Sequence, residues 1–224
     1  MTHGTTLLND DGSASMATAL MMSHHAFRRD IARFASALRQ VATGETSRVE
    51  ALRKEWSHYR GALHGHHEVE DANIFPSVKE QEPGLTAVIE GLSADHRRID
   101  PLLERGDQAF TDLPKTDAAL AVVSELSALL DAHLATEEAN VIRFLRDAKA
   151  FPPMPSDEML EMYAQGFAWA SHGVAPEVLS QLDVMLPAGL VARLPAARAA
   201  FQARCDEVWG RLPPLASRTS VPAL

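Results

Sequence analysis

The 224-residue sequence holds a single cysteine, Cys205. One thiol cannot build an intrachain disulfide framework or a cysteine-based zinc site, since both need several. It suits a reducing compartment. Long apolar runs are also missing, because no segment offers the roughly 18 unbroken apolar residues of a membrane span. The opening MTHGTTLLNDDGSASM has neither the positive start nor the apolar stretch of a signal peptide. A cytoplasmic protein is expected, with no membrane partner and with residues 1–14 as a flexible leader. Basic clusters are absent as well. The net charge is -9 and no cationic stretch can track phosphates, which argues against nucleic acid as a partner.

What is present is ordinary globular composition, with 46% apolar residues, in a chain long enough for one generous domain or a domain with an appendage. The ratio of ten histidines to two tyrosines is not ordinary. Six of those histidines fall between residues 24 and 67.

Four long segments carry apolar residues at three- and four-residue spacing and are predicted as helices. The first, from Ser15 to Val41, shows Met21, Phe27, Ile31, Phe34 and Leu38 on one stripe. The second, from Ser47 to Val78, shows Leu52, Trp56, Tyr59, Leu63 and Ile74. The third starts at Leu85 with Ile89, Leu92, Ile99 and Leu103, and is interrupted at Asp100-Pro101, where it kinks or restarts. The fourth, from Asp117 to Lys149, shows Val123, Leu126, Leu130, Val141 and Phe144. Short connections between long amphipathic helices imply antiparallel neighbours, hence an all-α, up-down-up-down four-helix bundle over residues 15–150. A C-terminal extension over 151–224 carries weaker helical patterns at Asp157–Ser171, Pro176–Leu186 and Leu190–Leu212. These short helices cap the bundle or form a homodimer surface.

The second and fourth helices repeat each other. HHEVEDANIF at 66–75 aligns with HLATEEANVI at 133–142, so that His66 matches His133 and Glu70 matches Glu137 at an offset of 67 residues. Upstream, His24 precedes His66 by 42 residues and His96 precedes His133 by 37. The chain reads as one helical hairpin used twice. Helical phase gives the same register, since His66, Glu70, His96, His133 and Glu137 continue apolar stripes. His24 continues the stripe of the first helix, with His25 as the alternative. His67 and Asp71 fall in line with Arg60 and His64 on the polar side. For His3, His58, His64, His67 and His172 the expectation is an exposed or locally bonded side chain.

A lone histidine on an apolar stripe is usually a hydrogen-bonded core residue. Six inward polar groups differ, because each would cost a few kcal/mol if buried without a partner. A metal cluster satisfies them together. Imidazole and carboxylate without thiolate suit iron, manganese or zinc, and carboxylate-bearing pairs in four-helix bundles are di-iron or di-manganese sites. If both glutamates bridge, each metal receives two imidazole nitrogens and two carboxylate oxygens, with positions left for a bridging oxide or hydroxide.

The set made of His24, His66 with Glu70, the DHRRID segment around His96, and His133 with Glu137 resembles the hemerythrin-like proteins with the HHE cation-binding domain. The EDANIFP and EEANVI continuations match that family's pattern, and the resemblance covers about residues 20–147. It implies two iron ions in a four-helix bundle. The oxygen-carrying members place a second histidine one turn after the first in the third helix, where this sequence has Asp100. That residue is either a ligand or the start of a helix before proline. Without a ligand there, the pair is expected to be more open than in an oxygen carrier. Tyr59 is a hydrogen-bond donor to the site, a ligand, or core packing. The expected function is a di-iron protein that binds dioxygen, peroxide or nitric oxide, with peroxide- or oxygen-consuming chemistry. A sensor without turnover, or an interaction module with a structural metal, is the alternative.

Overall fold

In the computed structural model, which describes residues 5–154, 156–210 and 220–221, the chain is almost wholly helical. His3, and Arg211 and Leu212 at the end of the last predicted helix, lie outside the described residues. The helices are α1 Met16–Ala42, α2 Val49–Val69, α3 Phe75–Gln81, α4 Thr86–Thr111, α5 Asp117–Asn140, α6 Asp157–Ser171, α7 Pro176–Met185, α8 Ala188–Val191 and α9 Leu194–Trp209. Among the described residues the strands are two residues each, β1 Thr5–Thr6 and β2 Ser220–Val221, paired antiparallel.

The chain divides into two compact units. One consists of Phe27–Val141 together with Glu207–Trp209, and in it the large helices meet pairwise. α1 meets α2 where Phe27 sets its ring edge-on to Tyr59 at 5.8 Å, and Phe34 to Trp56 at 5.7 Å. α2 meets α4 where Trp56 Nε1 donates to Asp107 Oδ1 at 2.9 Å. α4 meets α5 through Arg105 and Glu125, 2.9 Å apart, and α5 returns to α1 through Glu138, 2.6 Å from Arg28. Gly106 is what lets α2 and α4 approach. A Cβ built there would stand 2.0 Å from Trp56 Cζ2, so any larger residue displaces the indole. Helix α5 is long and apolar enough to cross a membrane by length and composition. Its apolar residues Val122, Val123, Leu126, Leu130 and Leu134 are nevertheless buried in the protein.

The second unit gathers the described residues up to Ala26, Ile142–Asp206 and those from Gly210 onward. Residues 7–14, expected as a flexible leader, are held in it. Leu7 is buried, and its carbonyl accepts from Thr18 Oγ1 at 2.7 Å. Asn9 Nδ2 donates to the carbonyl of Arg146 at 3.0 Å, and Lys149 pairs with Asp11 at 2.6 Å. Ser156 caps α6 by accepting from the amide of Met159.

Three expected helix boundaries shift. Helix α4 runs through Asp100-Pro101 without restarting, because proline removes only the bond to the carbonyl of Arg97, a residue on the exposed face. Helix α5 ends at Asn140 rather than Lys149, followed by a short 3-10 turn at Ile142–Leu145. The second predicted helix is divided by a π turn at Glu70–Ile74, in which the amide of Phe75 donates to the carbonyl of Glu70, five residues back. Pro76 explains it, since its ring would clash with the carbonyl four residues earlier and it brings no amide hydrogen. The extra residue advances the stripe by one place. Phe75 is 1% exposed, and Ile74, expected in the core, is only half-buried.

Candidate metal centre

Two sets of donor atoms converge where α2, α4 and α5 carry their polar core residues. His67, Glu70, His96 and His133 present one ligand atom each, all within 4.8 Å of one another. His66, Glu70 and Glu137 form a second cluster under the same limit. Glu70 is common to both. Its Oε1 lies 2.7 Å from His66 Nε2, and its Oε2 lies 3.4 Å from His96 Nε2, so the two oxygens of one carboxylate face imidazoles of different sets. The π turn begins at this residue, and such turns are frequent at functional sites.

All of these side chains except the partly exposed His66 are buried. Glu70, His133 and Glu137 are at 0% exposure, and His67 and His96 at 3% and 4%. Two of the inward faces are closed by rings. Phe27 stands 5.1 Å from the His66 ring, and Phe75 stacks on His96 at 5.5 Å.

Asp71 orients the site from outside. Its Oδ2 lies 2.8 Å from His96 Nδ1, and its Oδ1 accepts from Ser93 Oγ at 2.6 Å. With Nδ1 donating to Asp71, His96 turns Nε2 toward Glu70 and toward His133 Nε2, 3.3 Å away. Burial pushes the His96 pKa down, but hydrogen bonds and charge from Glu70 and Asp71 outweigh it and leave it raised. For Asp71, burial is likewise outweighed, here by hydrogen bonds from His96 and Ser93, and its pKa is lowered. Imidazole and carboxylate lone pairs converging at such distances can hold a cation among them. A metal ion of borderline character fits this donor set, which offers nitrogen and oxygen and no sulfur.

The residues singled out in the sequence are distributed as follows. His66, Glu70, His96, His133 and Glu137 are brought together. His24 is fully buried and sits on α1 one turn before Phe27. His25, the alternative to it, is spent elsewhere, with Nε2 3.2 Å from the carbonyl of His172. Tyr59 belongs to the core, its hydroxyl donating to the carbonyl of Phe27 at 3.5 Å and its pKa raised by burial and by the carboxylates of Asp30 and Asp131. Asp100 is half-exposed and 3.8 Å from the exposed His64, outside both donor sets.

His67 is the correction. Expected on the polar face, it is buried with its ring stacked on His96 at 4.0 Å, and it supplies a donor on the side that lacked one. Should an ion bind there, the His67 imidazole would add the nitrogen donor that position 100 does not supply. A single apolar stripe carries no signal for His67, whereas a helix buried between two neighbours hides an arc wider than the 100° that separates adjacent residues.

A cavity of about 470 Å³ reaches this side of the centre, lined by His64, His67, Glu68, Asp71, Ala72, His96 and Asp100.

Helices with buried His and Glu donor sets define a metal-binding helical domain. The family model of the Hemerythrin HHE cation binding domain matches residues 15–145, more than half of the chain, and the chain belongs to that family. No curated protein and no solved structure matches it.

Proposed function

We propose that the chain binds two iron ions and uses them to reduce hydrogen peroxide. The observation that carries this reading is the division of Glu70, whose two oxygens face His66 and His96 in separate donor sets. One carboxylate between two sets is the arrangement a metal pair requires, and a single structural ion would leave one set without purpose. His67, Glu70, His96 and His133 hold one ion. His66, Glu70 and Glu137 hold the other. The helix contacts support the up-down-up-down order: along α1 and α2, Phe27 and Phe34 pair with Tyr59 and Trp56 in reversed sequence.

Iron in this setting supplies electrons and positions for an exogenous ligand. The protein supplies the rest. Asp71 fixes the tautomer of His96, Phe27 and Phe75 keep water from two faces, and the cavity beside His67 and His96 admits a small molecule. His64, Glu68, Asp71 and Asp100 on its wall can hydrogen-bond hydrogen peroxide as it enters.

The test is elemental analysis with optical spectroscopy of protein expressed with ample iron. About two irons per chain and a spectrum that changes on adding peroxide are expected. Binding of one zinc per chain, with no iron, refutes the reading.

A further inference from the structure

The aromatic residues of α1 and α2 form a continuous path that leads away from the metal site. The Phe27 ring lies 5.1 Å from His66 and 5.8 Å from Tyr59. Tyr59 stacks on Trp56 at 5.9 Å with 24° between planes. Trp56 in turn stacks on Phe110 at 4.4 Å and 12°, and its Nε1–H donates to Asp107 Oδ1 at 2.9 Å. The path thus starts at a donor of the centre and ends at a carboxylate that is 43% exposed.

We propose that Trp56 is an electron donor to the metal site, reached through Phe27 and Tyr59, with Asp107 as the acceptor of its proton. This rests on the peroxide reading above. Hydrogen peroxide takes up two electrons and two protons to become two waters; a metal pair held here in its mixed-valent state would supply one electron and leave one to be found. Trp56 supplies it. The indole loses one electron along the ring path, its Nε1 proton passes to Asp107, and a neutral indolyl radical remains until ascorbate or another one-electron reductant in solution refills it. Both protons of the new waters come from solvent, and Asp107 returns one to it, so the net uptake is one proton.

The chemistry of the two oxidisable rings decides where the electron hole stops. The hydroxyl of Tyr59 faces the carbonyl of Phe27, a group that cannot take a proton, and the ring is buried at 2% exposure. An oxidised Tyr59 would have to keep its proton in an apolar core. Trp56 is equally buried at 1%, yet its N–H is already bonded to a carboxylate. An oxidised indole is a strong acid, so that bond converts oxidation into loss of a proton at a defined atom. Asp107 passes it to water at its exposed edge. Its second oxygen, 2.9 Å from Arg60 Nε, holds the carboxylate in place.

Iron-loaded protein is mixed with hydrogen peroxide, frozen within the reaction, and read by electron paramagnetic resonance, with ring-deuterated tryptophan to assign the signal. Peptide mass mapping then locates oxidised side chains. A tryptophan radical is expected, together with oxygen added to the peptide that carries Trp56. Both are lost in Trp56→Phe, and the radical is lost in Asp107→Asn, which alters only a surface carboxylate and preserves the core. Ascorbate added before peroxide removes the signal. A metal spectrum that responds to peroxide with no tryptophan radical overturns the relay alone. An iron spectrum that does not respond overturns the relay and the peroxide reading together.

Discussion

Replacing His67 by alanine is the sharpest test of how the centre is built. One donor set contains His67 with Glu70, His96 and His133, whereas the other contains His66, Glu70 and Glu137 without it. The substitution therefore removes one of four donors from one ion and none from its neighbour, and iron should fall from about two to about one per chain. Stability should fall with it. An ion present at a hundredfold excess over its dissociation constant stabilises the folded chain by about 2.7 kcal/mol, and at roughly 2–4 °C per kcal/mol for a protein of this size the melting temperature drops by about 5–10 °C. Removing the ring also deletes its stack on His96, a loss present with or without metal. Melting of the metal-free proteins measures that part separately, and the remainder is due to the ion. His64→Ala, three residues earlier and 52% exposed, is the control and should keep both irons. A His67→Ala protein with two irons and the parental melting temperature would show that His67 is only a packed core histidine.

Three further outcomes follow from the same geometry. Asp71→Asn should weaken metal binding roughly 10–100-fold, measured by competition with a chelator, because His96 loses the carboxylate that fixes its ring. Metal affinity should fall as pH drops through neutrality. The carboxylates of Glu70 and Asp71 make His96 hold its proton to higher pH than an ordinary histidine, so proton release on binding, read by calorimetry in buffers of different ionisation enthalpy, should grow as pH falls. Gly106→Ala should destabilise by roughly 2–4 kcal/mol in denaturant melts. Alanine gains about 1 kcal/mol of helix propensity, but its Cβ at 2.0 Å from the indole forces overpacking of about 1–3 kcal/mol and strains a charged hydrogen bond of about 1.5–3 kcal/mol. A variant as stable as the parent would mean that α2 and α4 can separate without cost.

The donor residues His66, Glu70, His96, His133 and Glu137 were legible because each continues an apolar stripe and because two segments repeat at a fixed offset. His67 was not, and the reason is geometric. A single stripe assigns one inward direction to a helix, whereas α2 has two neighbours: the His66 ring meets Phe27 of α1 and the His67 ring meets His96 of α4. Two adjacent histidines, about 100° apart around the axis, can thus both be buried. Proline acts differently at two places. At Pro101, where the sequence predicts a kink or restart, α4 continues on an exposed face. At Pro76, near the predicted end at Val78, it produces a wide turn inside the helix.

The repeat itself shows why that wide turn matters. Pro76 in the first copy corresponds to Arg143 in the second, and the two copies part company after their glutamates. In the first copy the amide of Phe75 reaches back five residues to Glu70, and the helix goes on as α3. In the second the amide of Val141 reaches back four to Glu137, and α5 stops. The same His-x-x-x-Glu spacing is therefore presented on two different backbones. Glu70 carries one oxygen to each donor set, while Glu137 belongs to the set of His66 alone. A doubled sequence motif implied two equivalent bridges, but the proline makes the copies unequal. Three imidazoles and one carboxylate gather on the side that faces the cavity, and the more acidic set lies on the other. If ions occupy both sets, a ligand entering from solvent would meet the histidine-rich side first, where His67 and His96 line the cavity.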